Sequence, residues 1–126
     1  MLFGLSAGCA EILRNDSIEI EQLTKDPQRY DNKKVSVNGF AVRDRHNLQI
    51  VQSEDSGVSV VLKIPGRAER SSSAQGFVEI VYGDSMTESW RDVHATFVGV
   101  FRWRPTEIPR YVLVVEEVRN LAKPGK

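Results

Sequence analysis

Two stretches of the chain, sixty residues apart, align without a gap: Tyr30-Asp-Asn-Lys-Lys-Val-Ser-Val-Asn-Gly39-Phe and Trp90-Arg-Asp-Val-His-Ala-Thr-Phe-Val-Gly99-Val. Each has an aromatic residue, a polar turn, and then an alternating segment with glycine at the same place. Alternation of period two puts successive side chains on opposite faces of a sheet. A glycine inside a strand marks a bulge or a sharp coil, where a side chain would obstruct the bend. Two such strands in one short chain predict a small, strongly coiled barrel. At 126 residues the chain has room for one core of ordinary size and not for two.

The rest of the chain agrees with a mainly β architecture. Residues 35–42 read as the first long strand, followed by the polar turn Arg43-Asp-Arg-His-Asn47 and a second strand over 48–53. Glu54-Asp-Ser-Gly57 is the next turn, and 58–64 is β-rich until Pro65-Gly66 ends it. Residues 95–103 and 111–118 are crowded with Val, Phe and Tyr and read as the last two strands. Ahead of these two, 67–76 has the composition of an exposed loop and 77–82 that of an additional strand. Residues 85–92 read as a short helix, with Ser85 as cap and Glu88 three residues on. Near the start, Ile18, Ile20 and Leu23 lead to Asp26-Pro27, an entry to a one-turn helix. The expected organisation is a segment and tether over 1–16, a barrel domain over 17–121 and a flexible tail over 122–126.

The run of Leu23, Pro27 and Tyr30 into Lys34-Val35-Ser-Val37-Asn-Gly39 resembles the opening of OB-fold-like domains of uncharacterised bacterial envelope proteins, a likeness that extends over about residues 18–121. The resemblance implies a five- to six-stranded OB-like Greek-key barrel with one or two short helices, the long 67–92 connection filling the slot between strands three and four. It implies no single activity.

The first nine residues, Met1-Leu-Phe-Gly-Leu-Ser-Ala-Gly-Cys9, form an apolar run ending in small residues before the only cysteine. Leu5 to Cys9 resembles a bacterial lipobox, which implies acylation of Cys9, a lipid anchor and a periplasmic-face location in the cell envelope. Ser6 stands where the lipobox usually has Leu, and no basic residue precedes the run. A tail with a buried Cys9, on a cytoplasmic protein, is the other reading. The run is far shorter than the roughly 20 apolar residues that span a bilayer.

Seventeen basic and seventeen acidic residues cancel, which removes the broad positive field of a duplex-binding protein. One cysteine and two histidines supply neither a disulfide framework nor a multi-cysteine zinc site. His46 and His94 have no predictable common partner, Glu116 and Glu117 are adjacent in a strand, and the nine glycines are scattered singly without a phosphate loop. No catalytic constellation emerges, and no cofactor or metal is implied.

Binding is the better expectation. In an OB barrel the loops joining strands one to two and four to five flank the ligand face. Here the first carries Arg43, Arg45 and His46, and the second carries Arg102, Trp103, Arg104, Arg110 and Tyr111. Trp103 between two arginines offers a stacking surface beside guanidinium forks suited to phosphate or carboxylate. Alternation equally allows Phe101 and Trp103 to face the core while Arg102 and Arg104 are simply solvated. The expected function is a non-catalytic binding or adaptor module for an unknown protein or anionic ligand. The alternative is a soluble module for single-stranded nucleic acid, which the charge balance disfavours.

Overall fold

The computed structural model describes residues 17–43, 48–53, 57–82 and 93–122. These contain β1 (Ile18–Glu19), α1 (Ile20–Lys25), α2 (Pro27–Tyr30), β2 (Lys34–Arg43), β3 (Leu48–Val51), β4 (Ser59–Lys63), a 3-10 turn (Arg67–Glu69), α3 (Ser72–Val81), β5 (His94–Trp103) and β6 (Tyr111–Ala122). Cys9, Arg45, His46 and the expected helix over 85–92 lie outside the described residues.

Strands β2 to β6 close into a five-stranded barrel in the order β2-β3-β4-β6-β5, with β5 returning to pair with β2. The spatial sequence β5-β2-β3-β4 is a Greek key. Strand β6 fills the gap between β5 and β4, antiparallel to the first and parallel to the second. The expected OB-like Greek-key barrel is therefore the architecture, with β1 as one further strand outside the closed ring. The short helices are more numerous than expected: three α-helices and a 3-10 turn among the described residues.

The two echoing segments are neighbours, paired antiparallel from Lys34↔Val100 to Phe40↔His94. Their glycines serve close approach. Opposite Gly99, β6 carries a bulge, the register stepping from Val98↔Glu117 to Gly99↔Val115. A Cβ on Gly99 would overlap the Val114 carbonyl, so only glycine lets the two backbones lie this close. Gly39 sits where one edge of β2 changes partner from β1, at Asn38↔Glu19, to β3, at Phe40↔Val51. A Cβ there would stand 3.0 Å from both Ile20 Cδ1 and Ile50 Cβ. A second step in the β5–β6 register contains Asn120, at φ 53°, a conformation that Asn tolerates better than most residues.

Inward positions alternate as the strand pattern requires. Val35, Val37 and Ala41 of β2, Ile50 of β3, Val60 and Leu62 of β4, Ala95, Phe97 and Phe101 of β5, and Leu113, Val115 and Val118 of β6 are buried together. Each large side chain so buried contributes roughly 1.5–3 kcal/mol.

One expectation is corrected. Residues 77–82 are not a strand, and 67–76 is not an open loop: the 3-10 turn and α3 occupy this stretch. Helix α3 buries Ala74, Phe77 and Val81, spaced three and four apart along one face. Phe77 meets Phe97 edge to face at 5.1 Å, so α3 packs onto the barrel core. Its start is held by serines: Ser71 Oγ accepts the Ala74 N–H and donates to the Glu116 carbonyl, while Ser73 Oγ accepts the Val118 N–H. The two strand groups flank Glu117, beside the bulge. A six-residue window sees only the β-rich Phe77-Val-Glu-Ile-Val-Tyr82; the helical spacing appears once Ser71 and Ala74 are included.

Strand β1 is tied to the barrel through Glu19. Its carboxylate accepts from Asn38 Nδ2 at 3.1 Å and from Gln52 Nε2 at 2.6 Å. Asn38 Oδ1 in turn accepts from Thr96 Oγ1 at 2.7 Å. The Asn38 bond foremost, then the Gln52 bond and the field of His94, hold the Glu19 carboxyl below its ordinary value of 4.5 against the opposing effect of burial.

Candidate functional site

Outward positions of β4, β6 and β5 come together because β6 lies between the other two. The register sets Val61 beside Val112 and Lys63 beside Val114 on one side, and Arg102 beside Val112 on the other. Buried Leu62, Leu113 and Phe101 take the alternate, inward positions. A row of valines is left on the outer surface with cations on either side.

The connection between β5 and β6, residues 104–110, stands over this row. It is folded on itself: Arg104 N–H donates to the Arg110 carbonyl at 2.8 Å, and Glu107 N–H donates to the Arg104 carbonyl at 3.0 Å. Pro105 and Pro109 restrict the backbone further. Two grooves flank the loop, and Glu107 and Pro109 line both. One, of about 400 Å³, is lined by Lys63, Arg102 and Arg104 over Val112 and Val114. The other, of about 520 Å³, is lined from the barrel side by Gln49, Ser59, Val61 and Tyr111, from the 57–58 turn by Gly57 and Val58, and from the loop by Arg110 among others.

The structure distributes the sequence-predicted residues unequally. Arg102 and Arg104 share the smaller groove; Arg110 and Tyr111 line the larger one. Trp103 lines neither and packs against the core cluster, while its backbone N–H donates to Asp31 Oδ1 at 2.9 Å. The inward alternative for Trp103 is thus the observed one. Arg104 is oriented by the same carboxylate, its Nη1 standing 3.8 Å from Asp31 Oδ1 and donating to the Trp103 carbonyl at 3.1 Å. Tyr111 stacks on Phe101 at 6.2 Å, which leaves it partly in the core and partly in the groove.

Arg43 lies elsewhere. It ends β2, whereas the residues before that strand, Asn32 and Asp31, bond Phe101 and Trp103. Its guanidinium carbon sits 5.1 Å from the Tyr82 ring, at the end of α3, and it lines neither groove. Lys63, Val112 and Val114 were not singled out by the sequence. Each is an outward position whose place depends on the parallel β4–β6 pairing, which no local pattern announces.

Among the described residues, the acidic and imidazole groups weighed in the sequence have separate partners. Glu116 pairs with Lys34 at 3.0 Å, and Glu117 with Arg119. His94 packs edge-on against Phe40 at 4.7 Å. Among the described residues no three His, Cys, Asp or Glu side chains are placed to hold a metal ion.

Fold and surface together define a small closed β-barrel with a basic groove on its outer face beside a folded hairpin loop. No protein-family model matches the chain, and no curated protein matches it.

Proposed function

We propose that the chain is a non-catalytic binding module of the bacterial cell envelope, carried on the membrane by acylation of Cys9, and that its ligand contact is the groove beside residues 104–110. The observation that carries this reading is the grouping of Lys63, Arg102 and Arg104 over the apolar floor of Val112 and Val114. Guanidinium groups stay protonated at any biological pH and present planar donor forks. They suit an anionic group held in place, and they are poor shuttles for protons. The valines favour a ligand with an apolar portion next to its charge. Trp103 is partly buried against the core cluster and lines neither groove, which takes the expected stacking ring away from the cations and favours this reading over the nucleic-acid one.

The test is a titration of the isotope-labelled chain with glycerol phosphate, followed by backbone amide shifts. Saturable shifts are expected at Lys63, Arg102, Arg104, Val112 and Val114, abolished in the double variant Lys63→Ala, Arg102→Ala. Shifts spread evenly over the surface, or none at the groove, would refute the assignment. Cys9 is tested separately by intact mass after expression with the natural upstream sequence: an unmodified thiol removes the anchor from the proposal.

A further inference from the structure

Ile108, in the loop over 104–110, is 97% exposed, where the other exposed large hydrophobics among the described residues, Val58 and Tyr82, reach 38% and 51%. Cations stand at the base of the Ile108 loop and in the groove beside it. Arg104 and Arg110 join across the base of the loop, and Lys63 and Arg102 line the groove at its side. Val58, also exposed, lines the neighbouring groove together with Ile108. A chain whose seventeen cations and seventeen anions balance thus gathers four cations at and beside the loop that carries this apolar tip, with Glu107 as the acid within the loop and Asp31 next to Arg104.

An apolar tip projecting beside a group of cations is complementary to a surface that is negative outside and apolar a few ångströms beneath, which describes a bilayer with anionic headgroups. A small soluble anion satisfies the cations and leaves Ile108 in water. We propose that the 104–110 loop is an interfacial membrane contact, in which Ile108 enters the boundary between headgroups and acyl chains while Lys63, Arg102, Arg104 and Arg110 face anionic phospholipid phosphates. This rests on the anion-binding reading of the groove and names its ligand. The two backbone bonds within the loop and its two prolines hold the tip in place before contact, which lowers the ordering cost of binding.

The test uses the full-length, unacylated chain carrying Cys9→Ser and Ile108→Cys, with an environment-sensitive fluorophore on the new thiol. A second chain carries the label through Tyr82→Cys instead, at an exposed position outside the grooves. Both are mixed with vesicles of phosphatidylcholine and of phosphatidylcholine with phosphatidylglycerol. Emission from the loop label shifts to the blue on the anionic vesicles only, and the label at the end of α3 stays aqueous. In the unlabelled chain, Lys63→Ala with Arg102→Ala weakens vesicle binding by more than about tenfold, at roughly fivefold per cation. Ile108→Asp weakens it by about tenfold or more, and Tyr82→Asp leaves it unchanged.

A loop label that stays aqueous while the chain sediments with anionic vesicles overturns the proposal, as does an equal shift on phosphatidylcholine alone. If groove amides still respond to glycerol phosphate in that case, the anion-binding reading survives and only the membrane contact is lost. If neither response occurs, both fall.

Discussion

The hydroxyl of Ser71 joins the first turn of α3 to β6: it accepts the Ala74 N–H at 3.2 Å and donates to the Glu116 carbonyl at 2.7 Å. One side chain therefore caps a helix and satisfies a strand carbonyl next to a bulge. Removing a helix cap costs about 1 kcal/mol, and a further hydrogen bond about 0.5–1.5 kcal/mol. Ser71→Ala is expected to lower stability by about 1–2 kcal/mol, read from the urea midpoint at unchanged slope. A loss within experimental error would mean that the hydroxyl is dispensable at both ends.

Two glycines give opposite signs for the same substitution. Gly99→Ala drives a methyl into the Val114 carbonyl, with the carbonyl carbon only 2.8 Å away. Relief requires one backbone to move, and a loss of about 3 kcal/mol or more is expected. Gly76 lies within α3, and a methyl there meets nothing within 4 Å. Gly76→Ala is expected to gain roughly 0.5–1 kcal/mol through helix propensity and a less disordered unfolded chain. Thermal melts of the two variants beside the parent decide the matter, and a shift of the same sign in both contradicts the geometry.

Glu19 links stability to pH. Its folded carboxyl titrates below 4.5 because the Asn38 and Gln52 amides favour the charged form. The unfolded carboxyl takes up its proton first as pH falls, so the stabilisation is complete above pH 4.5 and is lost as pH drops through the lower folded value. Glu19→Gln lacks this titration. Urea midpoints measured from pH 6 downward are expected to converge for parent and variant below pH 4.5; a constant offset at every pH would show that Glu19 is not the linked group.

Short thymidine oligonucleotides are expected to show no binding in fluorescence anisotropy at physiological salt. Trp103 packs against the core cluster and lines neither groove, which leaves the arginines of the loop without a stacking ring between them. Micromolar affinity that weakens in the double variant Trp103→Ala, Arg104→Ala would overturn this and restore the nucleic-acid reading.

How far the sequence reveals this molecule depends on the range of the interaction concerned. Period-two alternation located β2 to β6 to within a few residues at each end, because a strand with one buried face writes that face into its own sequence. The paired glycines, Gly39 and Gly99, marked strands that prove to be adjacent. Helix α3 was hidden because Val78, Ile80 and Val81 favour strands, and Gly76 interrupts the helical pattern just before Phe77. At the site, the arginines of the 102–110 segment were legible as charges, and the inward turn of Trp103 was one of two readings that alternation allowed. Lys63 was not legible at all. It reaches the groove only because β4 lies parallel to β6, where its register partner Val114 stands 51 residues further along the chain.

That parallel contact is short: only Val61↔Val112, Leu62↔Leu113 and Lys63↔Val114 join β4 to β6, whereas β6 runs beside β5 along nearly its whole length. The barrel is thus fastened shut by a seam of three residue pairs, no longer than the β3–β4 pairing on the other side of β4, and the basic groove lies across it, with Lys63 contributed by one bank and Arg102 by the far bank of β6. On the proposed anion-binding reading, an anion that grips both cations would act as a clasp. Amide hydrogens along Val61 to Lys63 are expected to exchange with solvent faster than those of the β5–β6 ladder in the free protein, and to slow on binding, so that occupancy of the outer face is felt as tightness of the closure beneath it.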